Sequence, residues 1–349
     1  MKLGIIGLPA SGKATVFEAL TLEISGSGDK SEDRLGTIDV PDTRIDALSR
    51  MYQPRKTIYA QVQYFLPGKG GQKKEGGKAD AARADSAWTA VRDADALIQV
   101  LRNFRMFGMD DPQPAADFEK LDQELIISDL AVVEKRLERM NAEAKKGKPP
   151  DAEERALVEK CRDLLEAEIP IRSDPDLARA PQLRGYAFLS AKPVLVLFNN
   201  EDEDTEIPAM EGRLAGESCL VIRGKLEHEL AQMSAEEAAE LLEEFEIAAS
   251  ATDRVIQKSY EILGLISFFT VGEDEVRAWT IPRGTPAVAA AGVIHTDIQK
   301  GFIRAETISY EDLMAAGSMA AAKKNATLRL EGKTYGVKDG DIINFRFNV

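Results

Sequence analysis

Gly7, Gly12 and Lys13 stand at the spacing GxxxxGK, within the stretch MKLGIIGLPASGKAT. An apolar run precedes them and a helix-like run, Thr15-Val16-Phe17-Glu18-Ala19-Leu20, follows. Strand, glycine-punctuated turn, lysine and helix in this order form a phosphate-binding loop. The glycines let backbone N–H groups converge on one centre, and the helix N-terminus adds its positive dipole end. Lys13 is placed to reach the β- and γ-phosphates of a nucleotide. Gly7, Pro9, Ala10, Ser11, Gly12, Lys13, Ala14 and Thr15 are therefore the candidate nucleotide-binding residues of this loop. One of them breaks the pattern. Ala14 stands where a Ser or Thr hydroxyl normally ligates Mg²⁺. Thr15 does not replace it, because a helix turns about 100° per residue and its hydroxyl points elsewhere.

Two further stretches carry site chemistry. Residues 57–65 (TIYAQVQYF) read as a strand and end at Leu66-Pro67-Gly68. A P-loop nucleotidase usually closes this strand with Asp-x-x-Gly, the Asp holding Mg²⁺ through water and the Gly sensing the γ-phosphate. Gly68 matches the glycine, but Phe65 takes the Asp position. The apolar run of residues 193–198 ends in Asn199-Asn200-Glu201-Asp202. An Asn and an acid three residues later suit purine recognition, with Asn199 ordering the loop and the Asp202 carboxylate pairing with the base edge. Asn200 occupies the place of the lysine in Asn-Lys-x-Asp. Residues 219–222 form one more strand, and Arg223-Gly224-Lys225 follows where a base-contacting loop would sit.

The elements that must hold these residues alternate between strand and helix, which predicts a doubly wound, mostly parallel sheet. Residues 26–33 read as a loop, and residues 69–78 (KGGQKKEGGK) as a switch-like segment or a solvated linker. A helix is expected over 81–94, with Trp88 and Val91 on its apolar side. Ile126, Leu130, Val133, Leu137 and Met140 recur at heptad spacing. Residues 145–150 (KKGKPP) break the helix, and Leu157, Cys161 and Leu164 restart it. This predicts an antiparallel helical hairpin inserted in the α/β domain. Ser234 and Glu237 form a capping box, and Asp253 opens a later helix.

With 349 residues, the chain has room for two or three domains. Its net charge of −14 argues against a general nucleic-acid coat. The C-terminal residues 266–349 hold ten Lys+Arg and ten Asp+Glu, so the acid excess lies before them. Cys161 and Cys219 alone do not indicate a disulfide framework, and two histidines leave little for a zinc site. No apolar run would span a bilayer and no signal peptide is evident, so a cytoplasmic chain without a membrane partner is expected. Trp279 is read as a core residue rather than a stacking platform, and His295 as either structural or a contact residue.

Together these residues resemble the YchF-type Obg-like ATPases over essentially the full length. GLPASGKATVFEAL resembles that family's P-loop, and KPVLVLFNNEDED its base-recognition strand and loop. DRVIQKSYEILGLISFFTVGEDEVRAWTI, AAGVIHTDIQKGFIRAE, ISYEDLMAAGS and DGDIINFRFNV resemble its C-terminal part. The resemblance implies an α/β fold: a P-loop G domain at 1–112 and 181–265, a helical coiled-coil hairpin at 113–180, and a β-grasp TGS domain at 266–349. It also implies binding and slow hydrolysis of ATP or GTP, with ATP preferred, and association with the ribosome or ribosomal RNA, as a monomer. The family lacks the usual water-positioning Gln, and the equivalent position here is near Lys69. Ala14, Phe65 and the Arg223-Gly224-Lys225 run depart from the family pattern, and the first two call Mg²⁺ into question. The expected function is therefore a purine-nucleotide-binding protein with slow or impaired hydrolysis. The alternative is a pseudo-NTPase adaptor that docks through its TGS domain. No catalytic residue and no metal ligand is nominated.

Overall fold

The computed structural model describes residues 1–22, 32–68, 88–233, 237 and 250–348. The expectations for residues 26–31, for the segment 69–78, for 81–87 and for Ser234 lie outside them. The described chain divides into two units, residues 1–37 with 63–258 and residues 38–62 with 259–349.

The first sheet has the strands β1 (Lys2–Ile6), β2 (Arg34–Asp39), β4 (Gln61–Leu66), β5 (Ala96–Asn103), β6 (Val194–Asn200) and β7 (Ser218–Ile222), in the order β2-β4-β1-β5-β6-β7. The pairs β1–β4, β1–β5, β5–β6 and β6–β7 are parallel. Strands in such a sheet are covered on both faces, which explains why β5 and β6 are almost continuously apolar. On one face Leu97, Leu101, Val196 and Phe198 pack with Phe118, Leu121 and Leu125. Strand order reverses at β1, with β4 on one side and β5 on the other. Ligands of open α/β sheets bind beyond the carboxyl ends of strands at such a switch point. The GxxxxGK loop leaves β1 at that place and enters α1 (Lys13–Thr21).

The helical hairpin is present. It consists of the long helix α3 (Pro114–Lys145) and the shorter α4 (Ala152–Glu166). Ile126, Val133, Leu137 and Met140 pack against Val158, Cys161 and Leu165, as the heptad spacing requires. The turn uses Gly147 in the left-handed region, φ +78, and Asp151 caps α4 by accepting the amides of Glu153 and Glu154. At its base α3 buries two carboxylates completely, Asp122 and Asp129. Arg172 meets Asp122 at 2.7 Å. Arg92 meets Asp129 at 3.0 Å, and the Ser190 amide donates to the same carboxylate at 2.7 Å. Pairing of this kind is what makes a buried carboxylate tolerable. The Cys161 thiol is fully buried, which pushes its pKa up to about 12 and keeps it unreactive.

The second sheet has the order β11-β10-β12-β8-β9-β3. It contains β3 (Lys56–Ile58), β8 (Leu265–Val271), β9 (Glu275–Pro282), β10 (Phe302–Ser309), β11 (Arg329–Glu331) and β12 (Asp341–Phe347). β8–β9 and β10–β12 are antiparallel, whereas β12–β8 and β3–β9 are parallel. Residues 38–62, with α2 (Thr43–Tyr52) and β3, thus group with the C-terminal residues. Trp279 packs on the Phe268 ring and donates its indole N–H to Thr270 at 3.0 Å, a structural role. His295 caps the short helix Thr296–Lys300, its Nδ1 accepting from the Asp297 amide. Among the described residues, no helix is long and apolar enough to cross a membrane.

Candidate functional site

The turn after β1 is held open by sterics that only glycine satisfies. A Cβ on Gly7 would lie 2.6 Å from Ser11 Oγ and 2.7 Å from the Val100 carbonyl. Gly12 caps α1 with φ +84, and a Cβ there would lie 2.2 Å from Asn199 Nδ2. Ala10 also adopts the left-handed region, φ +63. The Ser11 amide donates to the Leu8 carbonyl at 3.2 Å, and Lys13 Nζ reaches back across the loop to the same carbonyl at 3.1 Å. The ammonium and the first turn of α1 are therefore on the loop that a phosphate chain would occupy.

Asn199 fastens this loop to the far end of the site. It is 5% exposed. Its Nδ2 donates to the Ser11 carbonyl at 3.1 Å, and its Oδ1 accepts from the Gly224 amide at 3.0 Å. Both polar atoms are spent on backbone, and a Cβ on Gly224 would lie 2.7 Å from that oxygen. Gly224 opens α5 (Gly224–Leu230). Asp202 is half-buried, and Lys225 Nζ lies 3.6 Å from its carboxylate.

These parts share one cavity of about 710 Å³. Five of the eleven candidate binding residues line it: Ala10, Gly12, Thr15, Asn199 and Asp202. Gly7, Pro9, Ser11, Lys13, Ala14 and Gly68 do not. Ser11 is buried behind the loop, Pro9 and Ala14 are exposed, and the Gly68 amide donates to Asp33 at 2.8 Å. Phe104, Arg105 and Met106 also line it, with Asn200, Glu201, Glu203 and Lys225. Sequence reasoning missed Phe104, Arg105 and Met106. Their signal was an aromatic and a thioether in a loop that directly follows a core strand, β5, next to the switch point.

The positions of the two missing Mg²⁺ ligands offer the ion no donor. Ala14 presents a methyl group, and Phe65 turns its ring into the apolar cluster with Ile6, Trp88 and Val91. Lys2 Nζ lies 4.5 Å from that ring's centroid. Neither position supplies an oxygen, so these residues do not fit a metal bound in the usual way. Among the described residues, no group of three His, Cys, Asp or Glu side chains could hold a metal ion.

Comparison with known proteins places the chain. Over 369 residues it is 37% identical to the ribosome-binding ATPase YchF of Bacillus subtilis (strain 168), covering 99% of each chain. The chain belongs to the YchF family. Its identity to the ribosome-binding ATPase YchF of Escherichia coli O157:H7 is 35%, over 100% of this chain and 99% of that one. The solved structure of the Schizosaccharomyces pombe YchF GTPase matches with a TM-score of 0.79 at 30% identity, covering 99% of this chain and 97% of the other. Residues 265–348 match the YchF-GTPase C-terminal family, described as a protein of unknown function (DUF933).

Proposed function

We propose that this YchF-family chain binds a purine nucleoside triphosphate in the 710 Å³ cavity, ATP in preference to GTP, and hydrolyses it slowly or not at all. The observation that carries the reading is that one cavity joins the two halves such a ligand needs. Gly12 and Thr15 of the phosphate loop border it, and so does Asp202. Loop amides, the α1 dipole and Lys13 would hold the phosphates. The Asp202 carboxylate would accept from the base edge while Phe104 and Met106 cover a face of the ring. The ATP preference rests on Asn200, which stands where guanine-selective proteins carry a lysine. Its carboxamide is engaged elsewhere, so no alkyl stem stacks on the base.

Impaired hydrolysis rests on Ala14 and Phe65. Phosphoryl transfer is accelerated chiefly by electrostatic stabilisation of the transferring group. A bound Mg²⁺ would supply that stabilisation, and two of its usual holders are absent here. Titration calorimetry with ATP and GTP, each in Mg²⁺ and in EDTA, tests the reading. The expected result is ATP binding that changes little on chelation, with turnover near background. No binding of either nucleotide to folded protein would overturn it.

The same reading includes association with the ribosome, by analogy with the relatives' names, and residence in the cytoplasm as a monomer. A feature of the hairpin supports it. The arginines along its shaft are paired, Arg136 with Glu154, Arg139 with Glu143 and Arg155 with Glu159. Lys145, Lys146 and Lys148 at the tip are exposed and have no carboxylate partner among the described residues. Three like charges on one tight turn repel each other unless a polyanion meets them. The division into a nucleotide-binding domain at 1–112 and 181–265, a helical arm at 113–180 and a TGS domain at 266–349 belongs to this proposal. The adaptor reading, without a hydrolytic cycle, rests on the same two replacements, and turnover in the presence of Mg²⁺ would exclude it.

A further inference from the structure

The loop after β5 and the loop after β6 both line the cavity and are clipped together by residues outside the phosphate loop. Arg102, near the end of β5, is only 8% exposed. Its guanidinium donates to the Phe104 carbonyl at 3.2 Å and to the Asp110 carbonyl at 2.8 Å. It has no carboxylate in ion-pair contact among the described residues, so a buried cation is spent on folding residues 104–111 around itself. The next residue, Asn103, donates its Nδ2 to Asn200 Oδ1 at 2.9 Å. Asn200, 3% exposed, in turn donates to the carbonyls of Glu206 at 2.8 Å and Asp204 at 3.3 Å. Above them the Arg105 amide donates to the Glu201 carboxylate at 2.9 Å. The wall so fixed reaches the phosphate loop, since a Cβ on Gly12 would lie 3.6 Å from the Phe104 ring.

We propose that Arg102 and Asn200 are positioning residues for the nucleoside half of the site. They hold the wall of residues 104–106 and the loop of residues 201–203 at the separation of a flat base, while the phosphate loop grips its ligand independently. The inference rests on the nucleotide reading and adds a division of labour to it. Asn200 is then more than the absence of a lysine: its amide holds the loop that carries Asp202. The division follows from the contacts. Asn199 hydrogen-bonds the phosphate loop at the Ser11 carbonyl, whereas Arg102 and Asn200 bond to partners in residues 103–111 and 204–206.

The test compares ATP with inorganic tripolyphosphate by calorimetry on the full chain, for wild type, Asn200→Ala, Arg102→Met and Arg102→Lys. The expected result is that Asn200→Ala and Arg102→Met weaken ATP at least about tenfold, as buried carbonyls lose their donors. Tripolyphosphate affinity stays within about twofold of wild type, which also shows that the phosphate loop is folded. Arg102→Lys keeps the charge but not the fork that reaches both carbonyls, and it falls between. Three outcomes overturn the proposal. An unchanged ratio of ATP to tripolyphosphate affinity in both variants would show that the clips do not shape the slot. Equal loss of both ligands in folded protein would make them general scaffolding. Wild type binding tripolyphosphate as tightly as ATP would mean there is no nucleoside slot to position. If wild type binds neither ligand, the nucleotide reading fails first and the proposal with it.

Discussion

Restoring the second metal ligand by Phe65→Asp is expected to destabilise the first unit rather than revive a metal site. Phe65 is 8% exposed and packs in the core with Ile6, Trp88 and Val91. Truncating a core Phe costs roughly 3–5 kcal/mol through lost burial and the cavity left behind. The introduced carboxylate adds a desolvation penalty. Lys2, the nearest cation, is already paired with Asp93 at 2.6 Å and would offset little of it. Against a total stability of about 5–15 kcal/mol, such a loss is a large fraction. In a unit of roughly 150–250 residues, about 4 kcal/mol corresponds to a fall in Tm on the order of 10 °C. Ala14→Ser is the contrast, since the side chain is exposed and the change should stay within about 0.5 kcal/mol. Scanning calorimetry of wild type and both single variants reads this directly. A Tm for Phe65→Asp within about 2 °C of wild type would refute the placement of this ring as core, and with it the account of why the metal site was lost.

Other perturbations follow from the same contacts. Replacing Lys145, Lys146 and Lys148 by Ala should lower the salt dependence of binding to a structured RNA by about two to three in log–log slope, with ATP affinity unchanged; filter binding across a salt series checks it. Cys161 should resist iodoacetamide at pH 8 in the folded protein and react fully in denaturant, because burial holds its pKa near 12. Glu154 is held below the usual carboxylate range by the hydrogen bond from the Tyr186 hydroxyl, with Arg136 adding to it. Its contribution to the arm is therefore present above the unfolded value near 4.5 and lost as pH falls through the lower folded value. Hydrogen exchange should show the arm of Glu154→Gln at pH 7 opening as readily as the wild-type arm does below that range.

The hairpin was legible because one helix face repeats apolar residues at a fixed period, and that face needs only a second helix to bury it. The phosphate loop was legible because the spacing of its glycines and lysine is itself a local pattern, although the groups that exclude a Cβ there include the distant Val100 carbonyl and Asn199. Residues 104–106 were not, because their role depends on what β5 and β6 bring together, and no periodicity marks a loop. Arg102 could not be read either, as its partners are backbone carbonyls that carry no residue signature. The pairing of β3 with β9 joins residues 56–58 to 275–277, a contact whose local sequence is an ordinary short strand. Phe65 was recognised as a replaced ligand, but only the packing shows that the core has taken it up.

The charges along the cavity make the proposed ligand directional. At one end stand Lys13 and the opening turn of α1, whose dipole is positive there. Elsewhere on the same space, the three carboxylates of Glu201, Asp202 and Glu203 outnumber the two cations, Arg105 and Lys225. A triphosphate placed among those carboxylates would be repelled, whereas a base edge with amino donors would be attracted. Without the usual metal ligands, the phosphate end must rely on fixed dipoles and one ammonium, which bind charge but do not follow it as a bond breaks. Removing one charge at the acidic end separates the two contributions. Asp202→Asn should weaken ATP by losing the charge-assisted bond to the base, by about tenfold for a hydrogen bond to a charged group. It should leave tripolyphosphate unchanged or slightly tighter, because a negative charge is removed from the cavity. A variant that weakens both ligands equally would show that Asp202 organises the loop rather than meeting the base, and would refute this orientation of the ligand.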